Sequence, residues 1–286
     1  MKKTIKTVCS ILFVIAFLFS VTACGTEDTS AYLGKEVVLL PSQLDTLVQL
    51  DASSIDVSVI DSVMANFYVN SDTYADKLML VDGLIFTEEV YAIAGRKGDL
   101  ALMSKINEAL IAIADSGYQT VGKAYNLTSE LLVTASTANP LADAADDSWN
   151  AVVSDGKLII GYTVYAPIAY TEDGVFKGFD TDLAKTVVAY LNETYKTDIE
   201  IEFQLIEWDS KETLLSEGTI DLIWNGLTYT DERAEAMCLS IPYMRNNQVA
   251  VIRKADASVY TDKASMKTAI IGVEGGSAGE DVAKGK

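Results

Sequence analysis

The chain predicts an α/β protein built on a largely parallel sheet, and three observations carry that prediction. First, from Val37 onward short apolar runs alternate with segments of helical period, through residue 132 and again from residue 146. Second, residues 57–60 and 222–224 are compact apolar runs of the kind that form buried strands. Third, the two runs share an approach: Ser54-Ile55-Asp56 precedes one and Thr219-Ile220-Asp221 the other. In each case a helix leads through a short turn into a strand whose end carries polar residues. Two lobes built alike would set those strand ends opposite each other across a cleft.

Taken in order, residues 37–40 read as a strand, 43–50 as a helix and 57–60 as a strand, with a helix beginning near Ser62. Residues 77–81 return as a strand, and 90–94 form another apolar run. Leu100, Leu102, Ile106, Leu110 and Ile113 make a helical stripe over 100–114. Residues 133–145 are rich in Ala, Thr, Ser and Asp around Pro140, and read as a linker. A short helix over 147–152 would hold Trp149 against the body. Alternation then resumes with a strand over 158–162. Asp180 or Thr181 would cap a helix that carries Leu183, Val187 and Leu191. Strands follow over 200–205 and 220–224, a helix over 231–237, and strands over 248–253 and 268–273. Ser277 would start the last helix.

Residues 1–23 stand apart. Lys2, Lys3 and Lys6 precede an apolar run over 11–21, which is of signal-peptide length and short for a membrane span. Val21-Thr22-Ala23-Cys24 resembles the cleavage site of a bacterial lipoprotein. That resemblance implies cleavage before Cys24, a lipid on its thiol, an extracytoplasmic location at the membrane, and residues 24–34 as a polar tether. The alternative is an ordinary secreted protein with an incidental Cys24. Cys9 would leave with the signal and Cys24 would carry lipid. Only Cys238 then remains in the body, and no disulfide framework is possible there.

The net charge is −19, and removal of Lys2, Lys3 and Lys6 with the signal takes it to −22. This acidity argues against nucleic acid as a partner and against adhesion to anionic lipid. The chain contains no histidine, the commonest general base and metal ligand. Histidine-dependent hydrolase triads and histidine-ligated metal sites are therefore excluded. No catalytic residue, metal or cofactor is assigned.

Several linked motifs are more specific. Gly161-Tyr162-Thr163-Val164-Tyr165-Ala166-Pro167 and Gly178-Phe179-Asp180-Thr181-Asp182-Leu183-Ala184 are followed by a long motif from Gly218 to Arg233, GTIDLIWNGLTYTDER. Ser240-Ile241-Pro242-Tyr243 and Gly275-Gly276-Ser277-Ala278-Gly279-Glu280 come after it. Together they resemble the opening and central motifs of polar amino-acid solute-binding proteins of ABC importers, the bacterial extracellular solute-binding proteins of family 3. Residues 56–68 and 89–99 resemble the later strand–helix unit and the return hinge of the same family.

The resemblance implies a two-lobe, type II periplasmic-binding-protein-like fold. It implies no enzyme activity: such a protein takes up a free amino acid and delivers it to a membrane permease. It also implies a circularly permuted order. Residues 35–132 resemble the C-terminal half of the domain and 146–286 its N-terminal half, joined by the linker over 133–145. The first lobe would run continuously from Val90 to about Val251. The second would be assembled from 33–89 and 253–286. Two other readings of the order are a remnant of tandem domains and a dimer that exchanges halves. Two other readings of the function are a dehydratase-like enzyme on the same scaffold and a sensory binding module.

A free amino acid is a zwitterion, so its receptor needs a carboxylate clamp, an ammonium acceptor and a side-chain pocket. Arginine suits the clamp because its planar fork donates two parallel charge-assisted hydrogen bonds. Of four arginines, only Arg233 closely follows a strand end. Asn225, Thr228 and the backbone of Gly226 would lie beside it as further polar groups. The N–H groups of Ser277 and Ala278, at a helix start, would favour the same anion. By resemblance Asp61 is the ammonium acceptor; its alternative role is the N-cap of the helix from Ser62. Also by resemblance, Tyr165 and Trp208 flank the ligand side chain. Glu274 falls where relatives carry a side-chain-contacting residue, and an acid there would favour a cationic ligand.

Overall fold

The computed structural model describes residues 29–286. The expected signal segment, residues 1–23, and the expected lipidation position, Cys24, lie outside the described residues. Eleven strands form two sheets among these residues: β1 (Glu36–Leu40), β2 (Val57–Asp61), β3 (Leu78–Gly95), β4 (Lys157–Tyr162), β5 (Tyr170–Glu172), β6 (Val175–Lys177), β7 (Glu200–Leu205), β8 (Leu222–Thr228), β9 (Cys238–Leu239), β10 (Met244–Arg253) and β11 (Ile270–Glu274). The helices are α1 (Gln43–Asp51), α2 (Ser62–Val69), α3 (Leu100–Ala112), α4 (Gly117–Ala124), α5 (Ser148–Asp155), α6 (Phe179–Tyr195), α7 (Lys211–Ser216), α8 (Asp231–Ala236) and α9 (Ala278–Lys284).

The main sheet runs β1-β11-β2-β10-β3-β8-β4-β7, with β9 on β3 and a separate β5-β6 hairpin. At one end β1, β11 and β2 are parallel and β10 is antiparallel to them. At the other, β7, β4 and β8 are parallel and β3 is antiparallel. Each end is one lobe of an α/β fold, as expected, and the sheet is mixed rather than largely parallel. The chain passes between the lobes along β3 and β10. These pair antiparallel from Met244 opposite Tyr91 to Arg253 opposite Leu78.

This crossing corrects one expectation. The apolar runs at 77–81 and 90–94 are two ends of one strand, each buried in a different lobe, with exposed Asp82 and Gly83 between them. Alternating burial in the middle of the strand disguised its continuity. The first-lobe boundary also shifts. Gln248 already pairs with Asp61 of β2, so β10 enters the second lobe before Val251.

The echo around Asp56 and Asp221 is a physical repeat. Asp56 Oδ2 accepts from the N–H of Ile270 and Asp221 Oδ2 from that of Ile159, each at 2.9 Å. Arg253, at the end of β10, reaches Asp56 and Asp256. Arg96, just past β3, reaches Asp221 and Asp99 in the same way. Each lobe thus anchors a crossing strand to the entrance of its central strand.

Residues 133–145 form a strap rather than a free linker. Asn139 donates to the carbonyl of Ser104 at 3.0 Å and accepts from Asn107. Just beyond, Asp146 and Ser148 accept from the first N–H groups of α3, those of Ala101 and Leu102. The tether ends earlier than expected: Tyr32 and Leu33 are buried, and the Leu33 N–H donates to the Ala283 carbonyl at 2.8 Å. Trp149 packs edge-on against Tyr195, as anticipated.

Candidate functional site

The nine residues assigned above to ligand binding line one cavity between the lobes. Asn225, Gly226 and Thr228 come from β8, Arg233 from α8, Tyr165 from a first-lobe loop and Trp208 from the 3-10 turn Trp208–Ser210. Asp61 comes from β2, and Ser277 and Ala278 from the start of α9. Gln43, Thr163 and Glu274 complete the lining. The free space is about 10 Å³, room for about one water molecule, so the site is closed on itself. Thr228, Arg233, Ser277 and Ala278 also face an outer groove of about 1150 Å³.

Asp61 stands at the N-cap position of α2, yet its side chain makes no capping bond. The carboxylate turns into the site instead. Oδ2 accepts from Gln43 Nε2, and Oδ1 accepts from Asn246 Nδ2 and, at 2.7 Å, from Gln248 Nε2. Gln43 also accepts the Asp61 N–H at 3.0 Å. Burial first and Glu89 second push the Asp61 carboxyl up to about 6, against the pull of its amide donors.

Arg233 is placed by Thr230, whose hydroxyl caps α8 by accepting the Arg233 N–H at 3.1 Å. Its guanidinium donates to the Thr228 carbonyl at 2.7 Å and, across the cleft, to the Gly276 carbonyl at 3.3 Å. Lys211 reaches the same carbonyl at 3.0 Å, with its ammonium 4.8 Å from the Trp208 ring centre. Burial and the neighbouring Arg233 lower the Lys211 ammonium to about 8.

Glu274 ends β11 almost wholly buried. Burial and Asp61 raise its carboxyl to about 8, while Lys211 and Gln43 pull it down. A buried carboxyl held that far up lacks a sufficient cation nearby.

Three expectations need correction. The Gly226 N–H donates to Asp180 Oδ2 at 2.7 Å and is not offered to the cavity. Gly226 is required for another reason: its φ is +66°, and a Cβ there would lie 2.8 Å from the Tyr165 ring. Asp180 does not cap α6, because Gly178 holds that position. Its buried carboxylate takes both the Gly226 N–H and the Tyr243 hydroxyl, and burial raises it to about 7. Finally, the N–H groups just before α9 are engaged within the segment. Glu280 accepts the Gly276 N–H at 2.7 Å, and the Ser277 N–H points to the Glu274 carbonyl at 3.3 Å.

Sequence reasoning missed Gln43, Thr163, Tyr91, Glu89, Asn246 and Gln248. The hydroxyls of Tyr91 and Tyr165 are 2.6 Å apart, which fixes the Tyr165 ring. Thr163 accepts from Asn225 at 2.8 Å. Asn246 and Gln248 carried a usable signal, since they are polar residues beside a run of buried apolar ones on β10.

Residues 158–285 match the profile of bacterial extracellular solute-binding proteins, family 3. An arginine-binding extracellular protein of Bacillus subtilis, ArtP, is 31% identical over 157 residues, covering 54% of this chain and 58% of the relative. A probable histidine-binding protein of Campylobacter jejuni is 30% identical over 120 residues, 42% of this chain and 44% of the relative. A histidine-bound ABC-transporter substrate-binding protein of Streptococcus pneumoniae is 40% identical with a TM-score of 0.27, covering 32% of this chain and 35% of that structure. The chain spans about half the length of the curated relatives it matches.

Proposed function

We propose that this chain is a binding protein, not an enzyme, that captures a free amino acid between its two lobes and presents it to the permease of an ABC importer. The observation that carries the reading is the pairing of Arg233 from one lobe with Asp61 from the other on one cavity. A ligand carboxylate would displace the Gly276 carbonyl from Arg233, and the ammonium would take Asp61. Because the site is closed on itself, binding requires the lobes to part along β3 and β10 and to re-close around the ligand.

A cationic side chain suits the site best. The charged groups on the cavity wall are Asp61, Glu274 and Arg233; behind them Glu89 stands beside Asp61, and Lys211 offsets only part of the rise in Glu274. A zwitterion uses Asp61 and Arg233 and leaves Glu274 unpaired, and a dibasic ligand pairs it. Named binding of arginine by ArtP and of histidine by the Campylobacter relative agrees with this choice.

The same proposal includes the permuted order, with Cys24 as the lipid anchor. Pairing of β1 with β11 and docking of Leu33 on Ala283 support assembly of the second lobe from its two segments. No helix among the described residues is long and apolar enough to cross a membrane. A thermal-shift screen of the twenty amino acids and cystine tests the receptor reading, since a ligand of the folded state raises stability by mass action. Failure of every amino acid to shift the transition would overturn it, and turnover of a bound one would favour the enzyme. Light scattering tests the order: a folded monomer is expected, and an obligate dimer would mean exchanged halves.

A further inference from the structure

Glu89 lies on β3 where the strand crosses between the lobes, and its Oε2 is shared by three donors. Thr228 Oγ1 of the first lobe donates at 3.0 Å, and Asn246 Nδ2 and Gln248 Nε2 of the other crossing strand each donate at 3.1 Å. The same two amide groups also donate to Asp61 Oδ1 of the second lobe. Two carboxylates are thus held side by side across a pair of shared N–H donors. Each amide group has two hydrogens, so one can go to each acid. The chain of bonds runs from one lobe through both crossing strands to the other. Bringing two anions together in a half-buried site is unfavourable unless a cation joins them.

We infer that Glu89 is a positioning residue for the ligand ammonium: it acts through Asp61, holding the two acids as a paired anionic seat that a single ammonium group discharges as the lobes close. This rests on the amino-acid receptor reading. Besides Glu89 of β3, the titratable groups facing Asp61 are Tyr91 of β3, Tyr165 of the first lobe, Arg233 of α8 and Glu274 of β11. Arg233 is the only cation among them, and its guanidinium is committed to carbonyls.

The test is calorimetric titration of the full chain with L-arginine, or with whichever amino acid the thermal-shift screen selects instead, from pH 4 to 8. Wild type, Glu89→Gln, Glu89→Asp and Asp61→Asn are compared. Wild-type affinity should fall on acidification as Asp61 gains a proton. Glu89→Gln should bind about tenfold more weakly at pH 7.5, since one of two charges on the ammonium is gone. Its acid limb should also move down by about one pH unit, because Asp61 loses its repulsive neighbour. Glu89→Asp should keep the wild-type limb, which decides the matter even if the glutamine variant folds poorly. A glutamine variant with wild-type affinity, or one weakened with its limb unmoved, would overturn the inference and leave the receptor reading intact. Failure of wild type to bind any amino acid would remove both.

Discussion

Glu274 gives the most direct test of the site's electrostatics. In the ligand-free protein its carboxyl is raised from 4.5 to about 8, with burial the largest cause. A carboxyl whose folded pKa exceeds its unfolded value binds more protons in the folded state, so stability falls as pH rises between the two values. Full linkage is about 1.4 kcal/mol per pH unit for one group, so moving from pH 8 to pH 5 should restore up to ~4 kcal/mol. Asp61 and Asp180, raised to about 6 and about 7, act in the same direction over lower ranges. Comparison with Glu274→Gln isolates the Glu274 share. Urea unfolding of both ligand-free proteins at pH 5, 6, 7 and 8 is the assay. The variant should be more stable than wild type at pH 8, and the difference should vanish by pH 5. A saturating dibasic amino acid should flatten the wild-type slope. A variant destabilised equally at every pH, or wild-type stability rising towards pH 8, would refute the reasoning.

Three further outcomes follow from the geometry. Arg233→Ala should abolish amino-acid binding and Asp61→Ala should weaken it severely; calorimetry with unchanged affinity in both would show that the site lies elsewhere. Gly226→Ala should cost about 1–2 kcal/mol for the left-handed backbone alone. It should also weaken the ligand, because the new Cβ would push on the Tyr165 ring; denaturant unfolding and titration read the two effects. Asp180→Ala should destabilise by about 2–4 kcal/mol, since the Gly226 N–H and the Tyr243 hydroxyl both lose their acceptor. Asp180→Asn, which keeps an acceptor oxygen, should lose much less.

The α/β alternation was legible in the chain because apolar runs and helical stripes are local features, while the two-lobe arrangement came from the family resemblance. Residues 57–60, the stripe from Leu100 to Ile113 and the cap at Ser277 each announce themselves within a few residues. Arg233 stood out as the proposed clamp because, of four arginines, it alone closely follows a strand end, and Asp61 was named as the proposed acceptor by resemblance. Folding decided how those groups are already engaged. Nothing within a few residues of Gly226 shows that its N–H belongs to Asp180, 46 positions earlier. The same holds for the long strand β3, whose two buried ends read as a strand and a separate apolar run because each is buried by a different lobe.

The sequence alone determined the alternation of elements and the acidic, histidine-free composition, and it supplied the candidates proposed to grip an amino acid. Tertiary structure alone decided that Asp61 shares its donors with Glu89 and that Gly276 bridges Arg233 and Lys211. Only tertiary structure could bury Glu274 beside Asp61 and raise its carboxyl. The physical reason is that propensity and periodicity act between near neighbours along the chain. Desolvation and charge coupling act between groups brought together from distant positions, and no local pattern encodes that meeting.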